Sequence, residues 1–267
     1  MAVAVLCGGC ATTGTVDPVE LETPFDEIFR SPGSNDAPVA HGVVVGLTKV
    51  IPKYYDGWAG DCPGSDYDAS MMSQYCKDNG IVHIVLRDHA ATKARVEEAC
   101  RAAARGLRPD KDLLFLYFSG HGGQLPDTDA DEEDAMDETL CLADGQMVDD
   151  YVRGLMAEAP ANLWVAFITD SCNSKSNYRA VRSYQRAMGD GQIKCRVIHI
   201  GGCSDGEASE GSDQGGNLTL ALMAVLKDNP TWWTWRIMAQ PKMWGTQRAS
   251  YEEWNVTDEF RNAGVKR

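Results

Sequence analysis

An α/β fold with a mainly parallel six-stranded sheet and helices on both faces is predicted by three observations on this 267-residue chain. Apolar runs at 41–47, 81–86, 112–118 and 162–169 have the length of strands buried on both faces, as in parallel sheets. Segments of helical composition separate the first three of these runs and follow the later ones, and strand–helix alternation places helices on both faces of such a sheet. Two of the runs stop at small residues and then offer side chains capable of chemistry, which is where sites form at the carboxyl ends of parallel strands.

The elements follow in order. Residues 17–40, rich in Pro, Asp and Gly, read as a loose arm, and 41–47 is the first strand. A helix over 66–78 leads to the second strand at 81–86, and 90–107 has helical composition before the third strand at 112–118. The stretch 124–142 reads as a loop with a hairpin. A helix over 149–159 begins with Asp149 and Asp150, which suit its positive N-terminus. Strands at 162–169 and 196–200, helices at 217–227 and 231–239, and a short last strand at 246–251 complete the set. Trp232, Trp233 and Trp235 are expected to pack in the core. No long polar or Pro-rich linker divides the chain, so it reads as one domain.

Composition narrows the function. The net charge is −14, with much of the excess between Asp127 and Asp150. Such a surface repels nucleic acid and suits a basic peptide or a divalent cation, besides aiding solubility. No run of 18 apolar residues exists, so no membrane span is expected. Nine cysteines, odd in number and irregular in spacing, do not form a disulfide framework. Cys76, Cys100, Cys141 and Cys195 read as core residues, and the Cys7/Cys10 pair lacks the second pair a metal site needs. The apolar start and Cys7-Gly-Gly-Cys10 resemble the region around a bacterial lipoprotein cysteine, without a basic start and with a short apolar stretch. A cytoplasmic location is therefore expected, with a lipoprotein anchor or the periplasm as the alternative.

The chemistry lies at two strand ends. The run 113–118 is followed by Ser119-Gly-His121-Gly-Gly123, and the run 163–168 by Thr169-Asp170-Ser-Cys172. A Cys beside a His is a nucleophile with its base, because the attacking species is the thiolate. Glycines around His121 let a substrate approach the backbone closely.

In this order the two motifs resemble the caspase-like cysteine peptidases, and within them the metacaspases. His121 and Cys172 are 51 residues apart, close to the spacing of about 50 in caspases. The segments from Gly60 to Ala69, from Asp134 to Thr139 and from Gly202 to Asp205 agree with the same family. The Q-A-C-x-G caspase signature is absent, which argues against Asp specificity. The resemblance implies a caspase-like three-layer fold over 41–264 after an arm at 1–40. A large-subunit-like part runs to about residue 175 and a small-subunit-like part starts at about residue 194.

It also implies roles. Cys172 would attack the scissile carbonyl, His121 would take and return the proton, and the N–H groups of Gly122 and Cys172 would hold the oxyanion. Asp68 and Asp170 would form a pocket for Arg or Lys, with Cys203, Ser204 and Asp205 lining the cleft. No cofactor is needed for the chemistry, and calcium would act as an activator through Asp137, Asp149 and Asp150. A fourth family acid falls on Arg179, which removes one calcium ligand, and the stretch 127–138 does not fit an EF-hand because its sixth position is Glu132. After Cys172 the family's His-Ser-Gly is replaced by Asn173-Ser174-Lys175. Lys175, Arg179, Arg182 and Arg186 offer sites for self-processing. The resemblance favours a monomer. The competing reading is a catalytically silent caspase-fold module that acts by binding.

Overall fold

Alternation along the buried strands decides which layer each side chain serves. In the computed structural model, which describes residues 24–29, 37–126, 136–171, 193–203 and 209–266, the central sheet has six strands. These are β1 (Ala40–Gly46), β2 (Val82–Arg87), β3 (Leu113–Ser119), β7 (Trp164–Asp170), β8 (Arg196–Gly201) and β11 (Ser250–Trp254). They lie in the order β11-β8-β7-β3-β1-β2, and all neighbours are parallel except β11 on β8.

One face is covered by α1 (Phe25–Ile28), α3 (Lys93–Ala104) and α4 (Asp149–Glu158). It receives Val43 and Val45 from β1, Leu114, Leu116 and Phe118 from β3, and Val165 and Phe167 from β7. The other face is covered by α2 (Gly64–Asp78), α5 (Asn217–Val225) and α6 (Trp232–Ala239), with the short α7 (Asp258–Arg261) beside them. It receives the alternate residues Val44, Phe115, Tyr117, Ala166 and Ile168, packed on Met72, Tyr75, Leu222 and Trp235. Strands buried on both faces have no polar alternation, which is why each reads as a continuous apolar run. The expected α/β class, the six-stranded sheet and the helices on both faces are all present.

Three local expectations change. The hairpin expected within 124–142 is present and larger than expected: β4 (Gly122–Pro126) and β5 (Met136–Leu142) pair antiparallel, and β6 (Gly145–Val148) adds a third strand. β5 buries Asp137 and Glu138 as well as Thr139, Leu140, Cys141 and Leu142, so it lacks the alternation that marks a half-exposed strand. The arm is not loose throughout, since Phe25 on α1 is buried against α3 and Phe29 is buried with its ring 5.1 Å from that of His41, and each such ring is worth about 1.5–3 kcal/mol. The last strand is Ser250–Trp254, later than 246–251, and its register on β8 sets Trp254 opposite Val197.

Cys76, Cys100, Cys141 and Cys195 are buried as expected, and the six described cysteines are free thiols. Trp232 and Trp235 are in the core, whereas Trp233 is 37% exposed. No described helix is long and apolar enough to cross a membrane.

Candidate active site

The carboxyl ends of β3 and β7 stand side by side, with Ser119 in register with Asp170. A cleft of about 290 Å³ opens there. Asp61, Cys62, Asp68, Ser119, His121, Asp170 and Glu210 are among its walls, and no Lys or Arg lines it among the described residues.

His121 leaves the end of β3 and is half-buried. Its Nε2 lies 3.2 Å from the carbonyl oxygen of Asp61, and its ring packs on Trp58 with centroids 4.8 Å apart. A carbonyl oxygen only accepts, so the contact fixes the proton on Nε2 and leaves Nδ1 as the basic nitrogen. The main chain on either side is also held. Cys141 N–H donates to the His121 carbonyl at 2.9 Å, while Gly122 faces Leu140 in the β4–β5 register. In an antiparallel ladder this makes Gly122–Leu140 a non-hydrogen-bonded pair, so the Gly122 N–H points away from β5. A Cβ on Gly123 would lie 2.6 Å from Gln146 Oε1, so a side chain there would displace the end of Gln146.

The two acids are buried and held from several sides. Asp68, on α2, is 1% exposed; Oδ2 accepts from Ser119 Oγ at 2.7 Å and Oδ1 from Gly216 N–H at 2.9 Å. Asp170 ends β7 at 5% exposure. Its Oδ2 accepts the Thr219 N–H at 2.9 Å and Thr219 Oγ1 at 2.8 Å, and its Oδ1 accepts Ser209 Oγ at 2.8 Å. Thr219 lies in the first turn of α5, where N–H groups have no partner in the helix, so Asp170 caps α5 from another strand. Tyr117 Oη donates to Thr219 Oγ1 at 2.6 Å and extends the chain into the core.

Burial raises the Asp68 carboxyl above the usual carboxylate range; the neighbouring Asp170 charge adds to this, and the Ser119 and Gly216 hydrogen bonds oppose it. Burial raises Asp170 as well, against the donors from Thr219 and Ser209. Two buried carboxylates side by side hold a proton more tightly than either does in water. The hairpin of β9 (Gly211–Ser212) and β10 (Gly215–Gly216) reaches them because its glycines bear no side chain. A Cβ on Gly215 would lie 2.5 Å from Asp68 Oδ1, and one on Gly216 would lie 2.2 Å from Asp170 Oδ2.

The cleft thus brings together His121, Asp68 and Asp170, with the Gly122 backbone beside them. Cys203 does not reach its surface: it is fully buried and its thiol donates to the Ser171 carbonyl at 3.3 Å. Cys172, Ser204 and Asp205 lie outside the described residues, as do the Cys7/Cys10 pair and the basic positions Lys175, Arg179, Arg182 and Arg186. Asp137 is buried on β5 at the end of the small sheet from which α4 starts. The side chains of Asp149 and Asp150 are not among those described. Among the described residues no group of three or more His, Cys, Asp or Glu could hold a metal ion. Sequence reasoning missed Thr219, Ser209, Gly216 and Trp58. Only the Gly215-Gly216 pair before a helix carried a signal.

The caspase-domain family profile matches residues 48–234. Over 137 residues, 46% of this chain, the sequence is 41% identical to metacaspase-1 of Coccidioides immitis, covering 29% of that protein. It is 34% identical to metacaspase-1A of Aspergillus clavatus over 137 residues, again 46% of this chain and 32% of that protein. The chain therefore matches about a third of the length of these curated relatives. A crystal structure of a Geobacter sulfurreducens protein superposes with a TM-score of 0.73 at 28% identity, covering 85% of this chain and 97% of that one. Caspase-1 from Spodoptera frugiperda shares the fold at a TM-score of 0.51 and 14% identity, covering 80% and 82% of the two chains. A profile match over well over half of the sequence, on a six-stranded sheet of this order, places the chain in the caspase-domain family, where it is metacaspase-like.

Proposed function

We propose that the protein is a cysteine endopeptidase that cleaves peptide bonds after Arg or Lys, with Cys172 as nucleophile and His121 as base. The observation that carries this reading is the single cleft shared by His121 and the buried pair Asp68 and Asp170. Cys172 follows two residues after Asp170, at the carboxyl end of the strand next to that of His121.

In the first half-reaction, His121 Nδ1 takes the thiol proton and the thiolate sulfur bonds to the scissile carbonyl carbon. The carbonyl oxygen gains negative charge beside the outward Gly122 N–H and the Cys172 N–H, donors of a kind worth about 3–4 kcal/mol. The carbon–nitrogen bond then breaks, the amine leaves with the proton from His121, and a thioester remains. In the second, His121 takes a proton from water, hydroxide adds to the thioester, and the acid leaves as the thiol is restored.

Specificity rests on charge. A cation entering the cleft meets Asp68 and Asp170 in a site without a competing Lys or Arg on its described walls. An apolar or acidic side chain there would leave both carboxylates without a counter-charge.

Calcium as an activator belongs to the same proposal. Asp137 and the start of α4 share one end of the β5–β6 ladder, so Asp137, Asp149 and Asp150 come from neighbouring backbone positions. These oxygen donors suit a hard cation, which when bound would neutralise their mutual repulsion. Self-processing at the basic positions between Lys175 and Lys194, and a monomeric state, complete the reading.

The test is hydrolysis of fluorogenic peptides ending in Arg, Lys or Asp, with and without calcium, beside Cys172→Ala. Cleavage after Arg and Lys that is lost in the variant is expected. Cleavage after Asp overturns the pocket assignment. The changed residues after Cys172 favour one other reading, the silent binding module, and no cleavage together with an unalkylated Cys172 would establish it.

A further inference from the structure

We infer that Trp58 forms the subsite for the residue that follows the scissile bond, and that this subsite takes an apolar, preferably aromatic, side chain. The inference rests on the peptidase reading and extends it from the acyl side of the substrate to the leaving side.

The argument starts from the proton. The base that receives the thiol proton returns it to the departing amine, so the residue bearing that amine must lie against His121. The group already against His121 is Trp58, its ring centroid 4.8 Å from the imidazole at an interplanar angle of 57°. Trp58 is also 47% exposed, so part of the indole covers the base and part remains open beside it. A large exposed indole at that point offers an apolar wall, and aromatic pairs gain beyond their buried area. Tyr55 packs edge-on against Trp58 with centroids 5.9 Å apart.

The wall is fixed before any substrate arrives. The loop that carries it is closed at its neck by Cys62 N–H to the Thr48 carbonyl at 2.8 Å and Val50 N–H to the Ala59 carbonyl at 2.9 Å. Short ends and internal packing are the marks of a compact surface loop. Inside it, Trp58 N–H donates to the Tyr55 carbonyl at 2.9 Å, and Tyr55 Oη donates to the Leu142 carbonyl at 2.6 Å. Asp56, Gly57 and Gly60 take positive φ values of 51°, 90° and 63°, which turn the chain so that the indole falls back over Gly60. Asp88 Oδ1 accepts Thr48 N–H at 2.7 Å and Lys49 N–H at 3.2 Å, tying the same neck to the end of β2. A subsite ordered in advance gains affinity by cutting the cost of ordering. The loop also presents the Asp61 carbonyl to His121, so one segment would position both the base and the leaving group.

The experiment uses the full chain and quenched peptides that are identical except for the residue after the scissile Arg, which is Phe, Leu, Gly or Asp. The readout is the ratio of kcat/KM for Phe over Gly within each enzyme, which cancels any general loss of activity. The wild type is expected to favour Phe over Gly by about tenfold, the scale set by filling an apolar subsite. Trp58→Ala is expected to bring the ratio to within about twofold, and Trp58→Phe to restore most of it. Acyl-enzyme partitioning gives a second readout: phenylalanine amide should compete with water better than glycine amide in the wild type, and not in Trp58→Ala. A flat ratio in the wild type, or a full ratio in Trp58→Ala, overturns the inference while leaving cleavage after Arg intact. Cleavage of none of the peptides by the wild type overturns the peptidase reading and this inference with it. If Trp58→Ala fails to fold, the comparison of Trp58→Leu with Trp58→Phe decides by the same ratio.

Discussion

Gly216 and Asp170 approach so closely that no other residue fits at the first of them: a Cβ on Gly216 would lie 2.2 Å from Asp170 Oδ2. That oxygen cannot swing away, because it accepts both the N–H and the hydroxyl of Thr219. Gly216→Ala must therefore shift the hairpin or tear Asp170 from the cap of α5. The expected cost is about 1–3 kcal/mol, the penalty for overpacking a tight site, seen as a lower midpoint in urea unfolding. Cleavage after Arg should fall with it, mainly through a higher KM.

Thr219→Val keeps the shape of the side chain and deletes the hydroxyl. Asp170 Oδ2 would retain only the backbone donor, and Tyr117 Oη would lose its Thr219 partner. A loss of about 1–3 kcal/mol is expected, as for other buried groups left without partners. Thermal unfolding of the variant beside Tyr117→Phe checks this. The double variant Thr219→Val with Tyr117→Phe should cost less than the sum of the two single changes, because both remove the same hydrogen bond.

Asp68→Asn should stabilise the substrate-free protein above neutral pH. Burial first and the Asp170 charge second raise the Asp68 carboxyl, so the folded state holds its proton more tightly than the unfolded chain does. The stability this group lends is therefore complete below the ordinary carboxylate range and is lost as pH rises through the raised folded value. An amide carries no charge to lose, so at high pH the variant should gain about 1.4 kcal/mol for each pH unit by which the folded carboxyl titrates above the unfolded one. Melting curves at pH 8 should place the variant a few degrees above the wild type, and the gap should close toward pH 4. A variant that melts lower at pH 8 would contradict the assignment of burial as the dominant effect.

The same proton competes with substrate. Where the pair still shares it, an entering guanidinium meets one negative charge fewer. KM for an Arg peptide should therefore fall as pH rises through the raised range of the pair, and Asp68→Asn should flatten that slope. Steady-state kinetics from pH 5 to pH 8.5, with kcat tracked separately, would check both statements.

Most of the sheet was legible because each buried strand is an apolar run bounded by small or polar residues, as in 113–118 before Ser119. The acids Asp68 and Asp170 were legible as chemistry, since the family resemblance places one in the segment after the first strand and the other two residues before the nucleophile. Their partners were not. Gly216 meets Asp68 across 148 residues and Thr219 meets Asp170 across 49, and no local pattern encodes contacts of that range. Trp58 was invisible for another reason: an aromatic residue in a Gly-containing loop reads equally well as surface or core until the turn geometry at Asp56, Gly57 and Gly60 is known. The hairpin of β4 and β5 was expected, but the third strand β6 was not, because four residues are too few to show alternation.

The stitching of α5 and β10 to Asp68 and Asp170 bears on what a nick in the backbone would do. Among the described residues, several contacts join the two sides of the segment 172–192 directly. β7 and β8 pair in parallel from Trp164–Arg196 to Thr169–Gly201, Gly216 holds Asp68, Thr219 holds Asp170, and Tyr75 Oη donates to the Val265 carbonyl. A chain cut once between Asp170 and Ile193 would therefore behave as a two-fragment complex that migrates as one species in gel filtration and as two on a denaturing gel. Its halves should part only when the sheet itself unfolds.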